Sequence, residues 1–147
     1  MEVLLAYLHY LSIIATGSFL TAELLLCRPP LGEAQVRLLT RVDIAYFVSA
    51  LGALATGVLR LFFYAKGLGF YLPNPAFQAK LGLYVIVAVL SVRPTMRFIR
   101  WSRGLALGAG PPDPAEVRVV RRLVHIELML LALIPLMAVL MARGIGR

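Results

Sequence analysis

The sequence predicts an all-α integral membrane protein, a four-helix bundle, and three observations carry that prediction. Hydrophobic residues make up 61% of the 147 residues, against about 45–50% in a soluble domain, and the mean hydropathy is +0.86. The apolar residues fall into four blocks, each about the 20 residues a helix needs to cross a hydrocarbon layer of ~30 Å. The blocks lack the alternation of a membrane barrel. Backbone groups in lipid must be satisfied within their own segment, which leaves helices. The length fits a single transmembrane domain over 1–147.

The first helix is expected over 3–26, interrupted only by His9 and Glu23. Its start does not resemble a signal peptide, because MEVLLAYL carries Glu2 and no Lys or Arg. The connection 27–41 (CRPPLGEAQVRLLTR) is polar, with Pro29 and Pro30 as helix breakers. The second helix, 42–64, has Asp43 at its start and Arg60 near its end. A short connection, 65–76, is rich in glycine and aromatic residues. The third helix, 77–101, has Lys80 near its start and Arg93 well inside. The stretch after it contains GLALGAGPPDPA, a flexible linker by composition. The fourth helix, 120–142, contains His125 and Glu127.

The net charge of +8 would raise nucleic-acid binding in a soluble protein. Here the bases flank apolar blocks, so membrane orientation and lipid headgroups account for them, and no nucleic-acid partner is expected. Nine arginines lie on the side of the first and third connections: Arg28, Arg37, Arg41, Arg97, Arg100, Arg103, Arg118, Arg121 and Arg122. Five bases lie on the opposite side: Arg60, Lys66, Lys80, Arg143 and Arg147. The excess places the two connections in the cytoplasm and both termini outside, in an inner (cytoplasmic) membrane. Cys27, the single cysteine, excludes an internal disulfide and a cysteine-rich metal site, and reads as a small apolar residue near a helix end.

Ionisable side chains inside a membrane are functional candidates, because burying them is costly. At 1.5 Å per residue, His9, Arg60 and Lys80 form an outer layer, while Glu23, Asp43, Arg93, His125 and Glu127 fall in the cytoplasmic half. At 100° per residue, His9, Ser12, Thr16, Glu23 and Cys27 share one stripe within ~60°, which should face the bundle interior. Tyr46, Ser49, Ala53, Thr56 and Arg60 form a looser stripe on the second helix, and Lys80, Tyr84, Val87, Ser91 and Pro94 one on the third. Arg93 points away from that face, and His125 and Glu127 lie ~160° apart.

Each residue has a plainer reading. His9 serves equally as an interhelical hydrogen-bond donor. Arg60 and Lys80 can snorkel to headgroups. Glu23 can pair with Arg93 or a loop arginine, Asp43 can be a helix-start charge, and His125 a structural residue among arginines. The aromatic stretch 62–77 reads as an interfacial belt, or as a lid over a cavity beside His9.

Several stretches carry a resemblance to a family of predicted bacterial four-helix membrane proteins: AYLHYL at 6–11, RVDIAYF at 41–47, GVLRLFFYAKG at 57–67, NPAFQAKL at 74–81, SVRPTMRFIRW at 91–101 and IPLMAVLMARGIG at 134–146. It covers nearly the whole chain. More distantly, His9, Arg41, Gly57, Lys80 and Glu127 sit where HemJ-type protoporphyrinogen oxidases, small membrane proteins that bind haem b, carry comparable residues. That resemblance implies His9 as a haem ligand and Lys80 as a residue needed for catalysis. Arg60 and Lys80 are suited to holding propionates.

A haem iron takes one or two axial ligands. His9 and His125 lie more than ~15 Å apart in depth, so one haem cannot bridge them. The expected function is a haem b-binding membrane oxidoreductase acting on a porphyrin or exchanging electrons with quinone. The competing reading is a non-enzymatic transport or structural subunit built on Glu23, Arg93 and Glu127, which with Asp43 are expected to be buried polar residues, and for which four helices would call for a homo-oligomer. No phosphate loop, nucleophile elbow or HExxH motif is present.

Overall fold

Capping residues set where three of the long helices begin, and two of those starts lie well outside the apolar blocks. Asn74 Oδ1 accepts from the Ala76 and Phe77 amides, with Pro75 at the first helical position, where its missing N–H costs nothing. Asp113 does the same for Ala115, followed by Pro114. The Gly32 amide donates to Gln35 Oε1 at 2.6 Å. In the computed structural model, which describes residues 1–64 and 68–144, these caps open three of four long helices. They are α1 (Glu2–Leu26), α2 (Glu33–Phe63), α4 (Pro75–Ala106) and α5 (Pro114–Ala142), with a one-turn helix α3 (Leu68–Tyr71) between α2 and α4. All four long helices have the length and composition of membrane spans. The protein is therefore an all-α, multi-pass membrane protein.

The expected boundaries need correction on one side of the bundle. Helix α2 starts at Glu33 rather than 42, α4 runs to Ala106 rather than 101, and α5 starts at Pro114 rather than 120. The first connection shrinks from 27–41 to 27–32, and the third becomes 107–113. Sequences such as EAQVRLLTR are too polar for lipid yet good helix formers, so the helices continue past the apolar layer. The end that carries these two loops is the arginine-rich end, and the other is the termini end.

Helix α1 packs closely along α2, and α4 along α5. α2 meets α4 and α1 meets α5 less extensively, which closes a ring of two hairpins. The main buried cluster lies in the arginine-rich half, where Leu20, Val36, Leu39, Phe98, Val117 and Val124 are fully enclosed, while, among the described residues, the termini half buries only Ala53, Asn74, Ala76 and Val87. Helix α1 buries nothing before Thr16, and α5 nothing after Glu127. Large apolar side chains such as Ile44, Phe47, Val48, Val89 and Val92 are exposed on the outer faces, as lipid contact requires.

Cys27 closes α1. Its thiol is fully buried, with Sγ 3.9 Å from the Val117 carbonyl. Burial pushes the thiol up to about 11, so the reactive thiolate forms only as the pH rises toward that value. Maleimide at about pH 7.5 is therefore expected to leave Cys27 unmodified in the folded protein and to label it fully after denaturation. Rapid labelling of the native protein would contradict the buried position.

Candidate functional site

In the termini half, the structure brings His9, Arg60 and Lys80 together. His9 Nδ1 lies 2.9 Å from Thr56 Oγ1. The Thr56 hydroxyl has one hydrogen, and Gly52 O stands 2.6 Å away as its acceptor. With that hydrogen committed to Gly52, Thr56 can accept from His9 Nδ1–H, the tautomer that leaves the lone pair on Nε2. The ring lies flat enough on α2 that a Cβ at Gly57 would come 3.0 Å from His9 Cε1. Glycine is what admits the imidazole there. One turn earlier, Gly52 admits Ser12 in the same way, with 3.0 Å between a Cβ and Ser12 Oγ.

Arg60 and Lys80 are both within electrostatic reach of His9 and of each other. Neither forms an ion pair among the described residues. The Arg60 guanidinium carbon sits 5.7 Å from the centre of the Tyr10 ring, and Lys80 Nζ sits 5.3 Å from that of Phe77, within the range of cation–π attraction. The layer thus places one imidazole beside two cations. Among the described residues, no three His, Cys, Asp or Glu side chains are arranged to hold a metal ion by themselves.

The arginine-rich half holds a different cluster. Glu23, Asp43 and Glu127, from α1, α2 and α5, are 1%, 5% and 1% exposed. Asp43 Oδ1 accepts from Thr95 Oγ1 at 2.8 Å. Glu127 Oε2 lies 2.8 Å from Ser91 Oγ, which is also 2.9 Å from the Tyr46 hydroxyl. Above them, Thr16 Oγ1 meets Ser49 Oγ at 3.2 Å, and Tyr84 donates to Ala50 O. The inward stripes of the first three helices thus face one another.

Three readings of single residues are corrected. Arg93 is exposed rather than buried, and lines a surface cleft between α4 and α5 with Arg97 and Glu116, themselves an ion pair. It does not reach Glu23. No loop arginine does either, because Arg121 donates to the Leu24 and Cys27 carbonyls instead. Asp43 is no helix-start charge, since α2 begins ten residues earlier and buries it. By contrast, His125 is exposed among Arg118, Arg121 and Arg122 while Glu127 is buried, as their angular separation implies. Thr95 escaped the sequence reading. Its position four residues after Ser91, on the same helix face, was the available signal.

Of the aromatic stretch 62–77, residues 65–67, including Lys66, lie outside the described residues, as does Arg147. The rest gathers at the termini end, with Tyr71 5.1 Å from Phe70 and 6.0 Å from Phe77 between ring centres.

The chain matches the family described as predicted membrane protein DUF2214 over residues 1–146. No curated protein and no solved structure matches it. With a match across essentially its whole length, and four apolar helices arranged as a membrane bundle, the chain belongs to the DUF2214 family of predicted membrane proteins.

Proposed function

We propose that this membrane protein binds haem b in its termini half and acts as a membrane oxidoreductase, on a porphyrin or in electron exchange with quinone. The observation that carries the reading is the contact of His9 Nδ1 with Thr56 Oγ1. Metal-binding histidines donate their second ring N–H to a neighbouring acceptor, which orients the ring and raises its basicity. Thr56 is placed to accept that proton from His9 Nδ1, and Nε2 would then bind the iron. Arg60 and Lys80 lie in the same layer and would hold the propionates. When bound, the haem supplies one-electron chemistry. Lys80 and Arg60 also suit the carboxylates of a porphyrin substrate, and in this reading Lys80 is the residue in contact with it.

The excess of arginine around the two short loops supports insertion in a bacterial inner membrane with both termini outside. The haem layer then faces the outer leaflet. Protein purified from haem-sufficient cells is expected to show a Soret band, lost in His9→Ala and kept in His125→Ala. A colourless wild-type protein, or an unchanged spectrum in His9→Ala, would sink the proposal.

A transport subunit is the second reading, and the buried carboxyls of the arginine-rich half favour it. Arg93, exposed on the surface, has no part in it.

A further inference from the structure

Among the described residues, no cation pairs with the carboxyl groups of Glu23, Asp43 and Glu127. The charged groups within electrostatic reach of Glu23 are Asp43 and Glu127, both acids. The ion pairs among the described residues are Arg37 with Glu33 and Arg97 with Glu116, and neither touches the three. The neighbours from each packed helix complete the inventory. Cys27 stands beside Glu23 on α1. On α2, Tyr46 faces both glutamates. Ser91 and Thr95 on α4 are uncharged, and Arg121 on α5 is engaged by backbone carbonyls.

Two atoms point to a ligand independently of the acidic composition. Glu23 Oε1 and Glu127 Oε1 are enclosed and have no hydrogen-bond partner, on side chains only 1% exposed. An unpaired buried charge of this kind is not sustained in an apolar interior. The hydrogen count around Ser91 agrees. Its hydroxyl has one hydrogen, yet Val87 O and Glu127 Oε2 both lie 2.8 Å from Oγ. A proton carried by Glu127 satisfies both contacts.

Access to the cluster is one-sided. Val36, Leu39, Phe98, Trp101, Val120 and Val124 close the bundle toward the arginine-rich end, each 6% exposed or less. Toward the termini end the packing loosens, because α1 buries nothing before Thr16 and α5 nothing after Glu127.

We propose that Glu23, Asp43 and Glu127 form a proton-binding site that exchanges with the compartment at the termini end of the bundle. It is independent of haem, so a colourless protein leaves it standing. The ligand is the proton itself, released from a carboxyl to that compartment and regained from it.

The test uses dicyclohexylcarbodiimide, a membrane-permeant reagent that modifies protonated carboxyls in apolar surroundings, on the full chain in sealed vesicles of known protein orientation. Peptide mass spectrometry is expected to find the adduct on Glu23 or Glu127. Its yield should fall severalfold when the pH at the termini side is raised from about 6 to about 10, above even the raised range of buried carboxyls, and should ignore the same change on the other side. Glu127→Gln and Glu23→Gln preserve side-chain shape, and each should remove the adduct at its own position while the protein stays monodisperse. Mapping the wild-type protein needs no variant, so misfolding of either does not shield the proposal. Absence of label on both glutamates would overturn it. So would a yield indifferent to pH, control from the arginine-rich side, or protection by sodium at constant pH.

Discussion

Phe98→Ala is expected to destabilise the arginine-rich half of the bundle by roughly 3 kcal/mol, the range for emptying a large aromatic site in a packed core. Phe98 is fully enclosed. Its ring centre lies 5.8 Å from that of Trp101, within the range of favourable aromatic pairing. It belongs to the cluster that joins all four long helices at that end, with Leu20 from α1, Val36 and Leu39 from α2, and Val117, Val120 and Val124 from α5. The other half has no comparable core to compensate, since the hairpins are held mainly there. Thermal unfolding in detergent should show a midpoint lowered by roughly 10 °C, at about 2–4 °C per kcal/mol for a chain of this size. Trp101 is the single tryptophan, so its emission should shift to the red as the enclosure opens. An unchanged midpoint together with unchanged emission would mean that the bundle is held elsewhere.

The second large effect concerns Gly57. A Cβ there already meets His9 Cε1 at 3.0 Å, and a leucine adds three more carbons at the contact. Gly57→Leu must therefore push the imidazole off Thr56. The overpacking should cost about 1–3 kcal/mol, and the larger functional consequence is loss of the orientation of Nε2. If His9 holds haem, the Soret band disappears while the protein remains folded. Gly52→Leu is the matched control. It introduces the same side chain with its Cβ at the same 3.0 Å distance, from Ser12 rather than from His9, and should leave the spectrum intact. Equal loss in both variants would indicate general damage to the α1–α2 contact. Retention in both would remove His9 as the ligand.

The four spans are legible in the sequence because hydropathy over about 20 residues has one physical cause, the thickness of the hydrocarbon layer. The helix ends are harder to read for the same reason. At residues 33–41 and 114–119 the helix continues in water, where hydropathy carries no signal. There the start is marked only by Gly32 with Gln35, or by Asp113 with Pro114. Misreading the start of α2 made Asp43 look terminal, when it is buried and hydrogen-bonded by Thr95.

The sequence by itself determined which residues share a face of one helix. The 100° step per residue put His9, Thr16 and Glu23 on one stripe, separated Glu127 from His125, and turned Arg93 outward. It could not determine how four helices are rotated and shifted against each other, because that depends on side-chain packing between residues far apart in the chain. Only the tertiary structure decided that the two hairpins are tight and their junction loose toward the termini. It also decided that Thr56 meets His9, and that three carboxyls from three helices come within electrostatic reach of one another with no ion pair to them among the described residues. The four-helix membrane bundle follows from solvent chemistry along a line, whereas its polar sites are products of contact in three dimensions.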